Sequence, residues 1–67
     1  MENEEISRRI KARRVLKGLT QEDVAKMLGI SMPTYRKMEN HPLVLNLIKI
    51  KRLAKVLDCQ VENFLFD

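Results

Sequence analysis

Residues 21–40 read QEDVAKMLGISMPTYRKMEN and contain two short amphipathic patterns, one on each side of Gly29. Ser31 is a good N-cap for the second pattern, and Pro33 stands in its first turn, where a missing N–H costs little. Gly29 adopts a left-handed backbone easily, so the stretch predicts two helices joined by a tight turn. The apolar positions that define the inner faces of these helices are Val24, Ala25, Leu28, Tyr35 and Met38.

Apolar residues at helical spacing predict three further helices. These helices cover residues 3–17, 46–57 and 61–66, with a loop at 40–45 before the second of them. Their expected apolar stripes are Ile6, Ile10 and either Val15 or Leu16 in the first, and Leu47, Ile50, Leu53, Ala54 and Leu57 in the next. Thr20 and Asp23 are spaced as a capping box. We therefore expect an all-α fold, a compact five-helix bundle forming a single domain over residues 1–67.

The composition argues against several classes of protein. A chain of 67 residues with a net charge of +4 has room for one small domain with a basic surface. The single Cys59 and the single His41 can form neither an internal disulfide nor a four-ligand metal cage by themselves. No run of about 18 apolar residues is present, so we expect no membrane span. Because the chain cannot form an internal disulfide, we expect it in a reducing cytoplasm. No catalytic set or phosphate-binding glycine loop is present, so we expect no enzyme, cofactor or small-molecule substrate.

The central pair of helices has the organisation of a helix-turn-helix, whose second helix enters the major groove of DNA. From about Ile6 to Leu65 the chain resembles the lambda-repressor-like, Cro-type helix-turn-helix domains of bacterial and phage regulators. The stretches that carry this resemblance are 10–14, 18–21, 28–31, 38–40 and 53–57. Several marks at the correct mutual spacing make the resemblance specific.

The resemblance implies a role for particular side chains. Gln21 would contact a phosphate and brace the recognition helix, and Asn40, just after that helix, would contact another phosphate. Arg14 and Glu39 would form a buried salt bridge between the first and third helices. Arg36 and Lys37 are the strongest candidates for contacts to base edges or flanking phosphates. The complete set of DNA-binding residues implied in this way is Gln21, Ser31, Met32, Pro33, Thr34, Arg36, Lys37 and Asn40.

Several positions depart from the family pattern. Met32 and Pro33 replace polar residues, so direct readout is expected to be thin, and Met32 is either a contact for a thymine methyl group or a tolerated surface residue. His41 replaces a glycine at the exit of the third helix. Asp58 and Gln60 replace a glycine and a Ser/Thr cap, so the last helix is expected to fray.

The basic stretch 8–17 has six positive charges and no acid. It is either a solvated helix face or, beside a helix-turn-helix, partly directed at phosphates. Its side chains point in several directions around the helix, so only some of them can reach DNA.

The loop after the third helix is unusually apolar. Its side chains either pack into the core or remain exposed, and we expect one or two of them to be exposed, as at a partner surface. The residues expected to contribute to a homodimer or another protein contact are Leu43, Val44, Leu45 and Ile48.

The first functional hypothesis is a Cro-like repressor, of phage or bacterial type, that binds double-stranded DNA. It would act as a homodimer, at least on DNA, with the third helix in the major groove of a two-fold-symmetric operator. The alternative is a protein-interaction module with the same fold, such as an antitoxin or an inhibitor-type adaptor.

Overall fold

The computed structural model describes residues 3–65, in which five α-helices and one 3₁₀ turn are present and no strand is formed. The elements are α1 (Asn3–Leu16), α2 (Gln21–Leu28), α3 (Met32–Asn40), a 3₁₀ turn (Pro42–Val44), α4 (Leu47–Val56) and α5 (Glu62–Leu65). The predicted all-α, five-helix fold is therefore confirmed. Within the described range, no helix has the length and apolar character needed to cross a bilayer.

Side-chain caps fix where the three middle helices begin. The Thr20 hydroxyl accepts the N–H of Asp23 at 3.0 Å, while the Asp23 carboxylate accepts the N–H of Thr20 at 2.8 Å. This reciprocal pair is the predicted capping box, and the hydrogen bond from the Thr20 backbone lowers the pKa of Asp23. Ser31 and Asn46 accept backbone N–H groups in the same way at the starts of α3 and α4.

Helices α1, α2 and α4 end in the same left-handed turn. The residues that adopt it are Gly18, Gly29 and Asp58, with φ of 73°, 71° and 55°. After α4, the Asp58 N–H donates to the Lys55 carbonyl at 3.1 Å and the Cys59 N–H donates to the Ala54 carbonyl at 2.9 Å. This pair of hydrogen bonds is the Schellman pattern. Asp58 therefore adopts the left-handed conformation that glycine adopts at the other two helix ends, and its backbone is strained as a result.

The core is built from all five helices. Its buried apolar residues are Ile6, Ile10, Val24, Ala25, Leu28, Tyr35, Ile50, Leu53, Ala54, Leu57 and Phe64. The expectation that Val15 or Leu16 completes the stripe of α1 is wrong, since they are 66% and 74% exposed. Continuing the i, i+4 spacing from Ile6 and Ile10 leads to Arg14, so the last inward position of α1 is taken by a charged residue.

The sequence prediction also fails at the start of α4. Leu47 is 61% exposed, although its spacing from Ile50 places it on the inner face. It is the first residue of α4 and lines a groove between α4 and α5 that is open to solvent. The buried face of this helix therefore begins one turn later, at Ile50.

Two connections differ from the expected loops. Asn40 is the last residue of α3 rather than the residue after it, and Pro42 is buried at the start of the 3₁₀ turn. His41 follows α3 with φ of −134°, a negative angle that does not favour glycine. The glycine that the family pattern has at this position is therefore not required here.

The last helix has a side-chain hydrogen bond at its start. The Asn63 side chain accepts the N–H of Gln60 at 2.9 Å. The prediction that the last helix frays did not take this hydrogen bond into account. Of the predicted range 61–66, α5 takes up Glu62–Leu65, and Phe66 lies outside the described residues.

Two arginines of α1 attach the C-terminal part of the chain. Arg9 donates to the Phe64 carbonyl at 3.1 Å, and Arg13 donates to the Asp58 carbonyl at 3.3 Å. Lys17 adds an exposed ion pair with the Asp58 carboxylate at 3.6 Å. Helix α1 is therefore joined to the end of α4 and to α5 by polar bonds as well as by apolar packing.

The left-handed turns generate a matched pair of stability tests. Asp58→Gly should raise the free energy of unfolding by about 0.5 kcal/mol, because relief of the strained backbone outweighs both the greater freedom of glycine in the unfolded chain and the loss of the exposed ion pair with Lys17. Gly29→Ala should lower the free energy of unfolding by about 1–2 kcal/mol, because alanine is strained in the left-handed conformation. A Cβ at this position meets no atom within 4 Å, so backbone strain is the cost that the substitution measures. Denaturant unfolding of both variants measures the two values, and equal signs would contradict this interpretation.

Candidate nucleic-acid interface

Helix α3 presents one continuous exposed face. At 100° per residue, five of its exposed positions span an arc of about 140°, and a sixth, Thr34, lies about 60° beyond them. The residues on this face are Met32, Pro33, Arg36, Lys37 and Asn40. Two of them are basic, and the nine-residue helix contains one acid, Glu39, which is buried on the other side. The face is therefore basic in its middle, at Arg36 and Lys37, and uncharged at its two ends.

The opposite face of α3 anchors it to the rest of the molecule. Tyr35 and Glu39 are fully buried, at 0% exposure, and Met38 is half-buried against the core. An anionic residue buried to this extent requires partners that replace its hydration. Those partners come from α1, α2 and α3.

The Glu39 carboxylate is the centre of a hydrogen-bond network. Arg14 donates to it from Nε at 2.8 Å and from Nη2 at 3.4 Å. Gln21 donates from Nε2 at 3.1 Å, and the Tyr35 hydroxyl donates at 2.6 Å. Arg14 also donates from Nη1 to the Leu19 carbonyl at 2.9 Å. One carboxylate thus joins α1, α2 and α3.

The network keeps Glu39 ionised. Burial by itself raises the pKa of Glu39, but the hydrogen bonds from Arg14, Tyr35 and Gln21 outweigh it, and the pKa lies below its usual value. The hydrogen bond to Glu39 raises the pKa of Arg14. Burial, together with the bond to the carboxylate, raises the pKa of the Tyr35 hydroxyl. At neutral pH the site therefore contains an ion pair and a neutral phenol.

Gln21 is half-buried at the first position of α2. One of its amide N–H groups is used by Glu39, so the side chain braces α3 from α2. The second amide N–H and the amide oxygen are not needed for this bond. The phosphate contact that the resemblance implies for Gln21 stays a prediction.

The first turn of α3 offers few polar groups to a ligand. The Ser31 hydroxyl accepts the Thr34 N–H at 3.3 Å and donates to the Thr34 hydroxyl oxygen at 2.8 Å. Both side chains are exposed, but they are oriented by each other. The other exposed side chains here, Met32 and Pro33, are apolar.

The apolar loop produces an exposed surface in the 3₁₀ turn and the first turn of α4. We call it the apolar surface, and it comprises Leu43, Val44, Leu47 and Ile48, which are 52%, 78%, 61% and 71% exposed. The predicted member Leu45 is half-buried. Sequence reasoning missed Leu47, because helical spacing alone could not show that the space above the first turn of α4 is open.

His41 is exposed and Cys59 is half-buried. Among residues 3–65, no group of three His, Cys, Asp or Glu side chains is arranged to hold a metal ion.

Comparison with protein families gives one match. A helix-turn-helix family model matches residues 10–64, which is most of the chain and includes α2, the turn and α3. Searches of curated proteins and of solved structures gave no match.

The buried carboxylate predicts a pH-dependent stability. Glu39→Gln should lower the free energy of unfolding at neutral pH by about 3 kcal/mol, because it breaks a largely buried ion pair. The pKa of Glu39 is lowered by folding, so this contribution is complete above about pH 4.3 and is lost as the pH falls through the folded-state value. Denaturant unfolding at decreasing pH should show the difference between the two proteins shrinking.

The matched control is Glu62→Gln, which removes an exposed carboxylate and should change the free energy of unfolding at neutral pH by less than about 0.5 kcal/mol. A stability difference for Glu39→Gln that stays constant down to strongly acidic pH would contradict the assignment of an ionised, network-stabilised carboxylate.

Proposed function

The chain belongs to the lambda-repressor/Cro-like helix-turn-helix family of DNA-binding regulators, and we propose that it is a Cro-like repressor of phage or bacterial type. Two copies would bind a two-fold-symmetric operator, with α3 of each in the major groove and half-sites roughly 34 Å apart. Repression would follow from occupancy of a promoter. The proposed role is non-catalytic.

The observation that carries this proposal is the division of α3 into a buried anchoring face and an exposed basic face. Arg36 lies in the middle of the exposed face, where its guanidinium can bind the O6 and N7 atoms of guanine through two hydrogen bonds. Lys37 is next to it and is suited to a guanine or a phosphate. Met32 and Pro33, one turn earlier, offer apolar contact to thymine methyl groups.

The ends of the exposed face have groups suited to phosphates. Gln21 is the first residue of α2, where backbone N–H groups and the helix dipole favour an anion. Asn40 is exposed at the last position of α3 and has an amide that can donate to a phosphate oxygen. Such contacts would set the register of α3 without reading sequence. Ser31 and Thr34, which are bonded to each other, would support the start of α3 and approach the backbone.

The apolar surface supports the dimeric part of the proposal. Four of the six residues at positions 43–48 are exposed apolar side chains, and Val44 and Ile48 are 78% and 71% exposed, which is typical of a surface that contacts a partner. We assign this surface, with Leu45 at its edge, to contact with a second copy of the chain.

The same surface favours a second candidate function, a protein-interaction module such as an antitoxin or inhibitor-type adaptor. Met32 and Pro33 on the exposed face of α3 also suit a protein partner. The basic character of Arg36 and Lys37 favours the DNA-binding function instead. The two functions differ in whether double-stranded DNA of defined sequence is bound.

Selection of bound duplexes from a random-sequence pool at about physiological salt tests the proposal. The expected result is enrichment of a two-fold-symmetric motif. Arg36→Ala combined with Lys37→Ala should reduce affinity for the selected duplex by about 10-fold to 100-fold or more, since one bidentate contact alone contributes about 1–3 kcal/mol. Fluorescence anisotropy with the labelled duplex measures this loss.

The control variant removes the same charge elsewhere. Lys51→Ala combined with Lys55→Ala changes two exposed lysines beside the groove between α4 and α5 and should retain most of the affinity. Equal losses of affinity for the two double variants, or binding without enrichment of a motif, would indicate that the chain binds DNA through charge alone and not by sequence. No binding of the unmodified chain to any duplex would overturn the repressor and favour the interaction module.

Dimerisation is tested on the apolar surface. Leu43→Ser combined with Val44→Ser should weaken self-association, measured by sedimentation equilibrium alone and with the selected duplex, because apolar area buried between copies drives the contact. Val15→Ser combined with Leu16→Ser alters an equally exposed apolar pair at the end of α1 and should leave self-association unchanged. A monomer at high concentration, both free and on DNA, would contradict the homodimer.

A further inference from the structure

The six basic residues at positions 8–17 lie in α1 or directly after it. They form two groups according to what they bind. Four of them make bonds within the chain, to carboxylates or to backbone carbonyls of other elements. These four are Arg9, Arg13, Arg14 and Lys17. Their charge is used in holding the fold together.

Arg8 and Lys11 form the other group. Both are exposed, and within residues 3–65 neither makes an ion pair or a side-chain hydrogen bond. They are three residues apart, which places them on the same side of α1, about 4.5 Å apart along the helix axis. They are therefore two cations on one side of α1 that the fold itself does not use.

The position of this pair relates it to α3. Arg8 and Lys11 line a shallow depression together with Glu4, Ser7 and Asn40. Asn40 is the last residue of the exposed face of α3, so the depression continues that face onto α1. The acid, Glu4, lies one turn before Arg8, so the positive end of the depression is the one formed by Arg8, Lys11 and Asn40.

We propose that Arg8 and Lys11, together with Asn40, bind the phosphate backbone of DNA beside the base pairs that α3 faces. The inference rests on the proposed DNA-binding function and extends its interface from the helix-turn-helix to α1. A guanidinium and an ammonium separated by one helical turn suit phosphate oxygens, and the Asn40 amide adds a neutral donor. Such contacts add affinity that is independent of base sequence and depends steeply on salt.

The test is the salt dependence of binding for Arg8→Gln combined with Lys11→Gln. Affinity is measured by fluorescence anisotropy at several salt concentrations, with the selected duplex and with a duplex of unrelated sequence. For each bound copy of the chain, the slope of log K against log salt concentration should become shallower by about 1.8, since each phosphate contact contributes about 0.9. The affinity ratio between the two duplexes should stay within about twofold, because phosphate contacts do not read bases.

The control is Lys51→Gln combined with Lys55→Gln, which removes the same charge beside the groove between α4 and α5. Its slope should change by less than half as much. Equal slopes for the two double variants, with normal binding by the unmodified chain, would overturn the α1 site and leave the proposed function standing. Failure of the unmodified chain to bind either duplex would overturn both. Thermal unfolding within a few degrees of the unmodified chain verifies that the fold is retained.

Discussion

The ion pair between Arg14 and the buried Glu39 is the interaction on which the arrangement of the helices depends. A carboxylate removed from water is stable here only while its donors from α1, α2 and α3 are all in place. Moving α1 away from α3 would leave the buried carboxylate without its ionic partner, which costs more than the loss of an ordinary contact. The network therefore defines the position of α3 relative to α1 and α2 more strictly than apolar packing alone would.

The network also explains how a short helix can have two different faces. The inward positions of α3 are taken by Tyr35 and Glu39, whose polar atoms are satisfied inside the molecule. The outward positions are thereby left to residues that the fold does not use, and Arg36 and Lys37 are among them. The six basic residues at positions 8–17 divide in the same way, because four of them bind other elements and two do not.

Features that depend on local chemistry could be predicted from the sequence. The capping box at Thr20 and the glycine turn at Gly29 follow from a few neighbouring residues, and they begin and end helices where expected. Burial near helix ends could not be predicted, because it depends on whether another element covers that position. Leu47 has the spacing of a core residue, but it is exposed because no other element covers it. At the end of α1, Arg14 takes the inward position. Which basic side chains at positions 8–17 are bound within the protein likewise depends on contacts with residues far along the chain.

The brevity of α3 has a consequence for recognition. A helix of nine residues is marginal in water by itself, because nucleation costs more than so few hydrogen bonds return. Its conformation exists because the fold holds it, so the backbone and the anchored side chains lose their freedom during folding. A ligand that meets α3 then finds a preorganised surface, and little conformational entropy has to be surrendered at the moment of association.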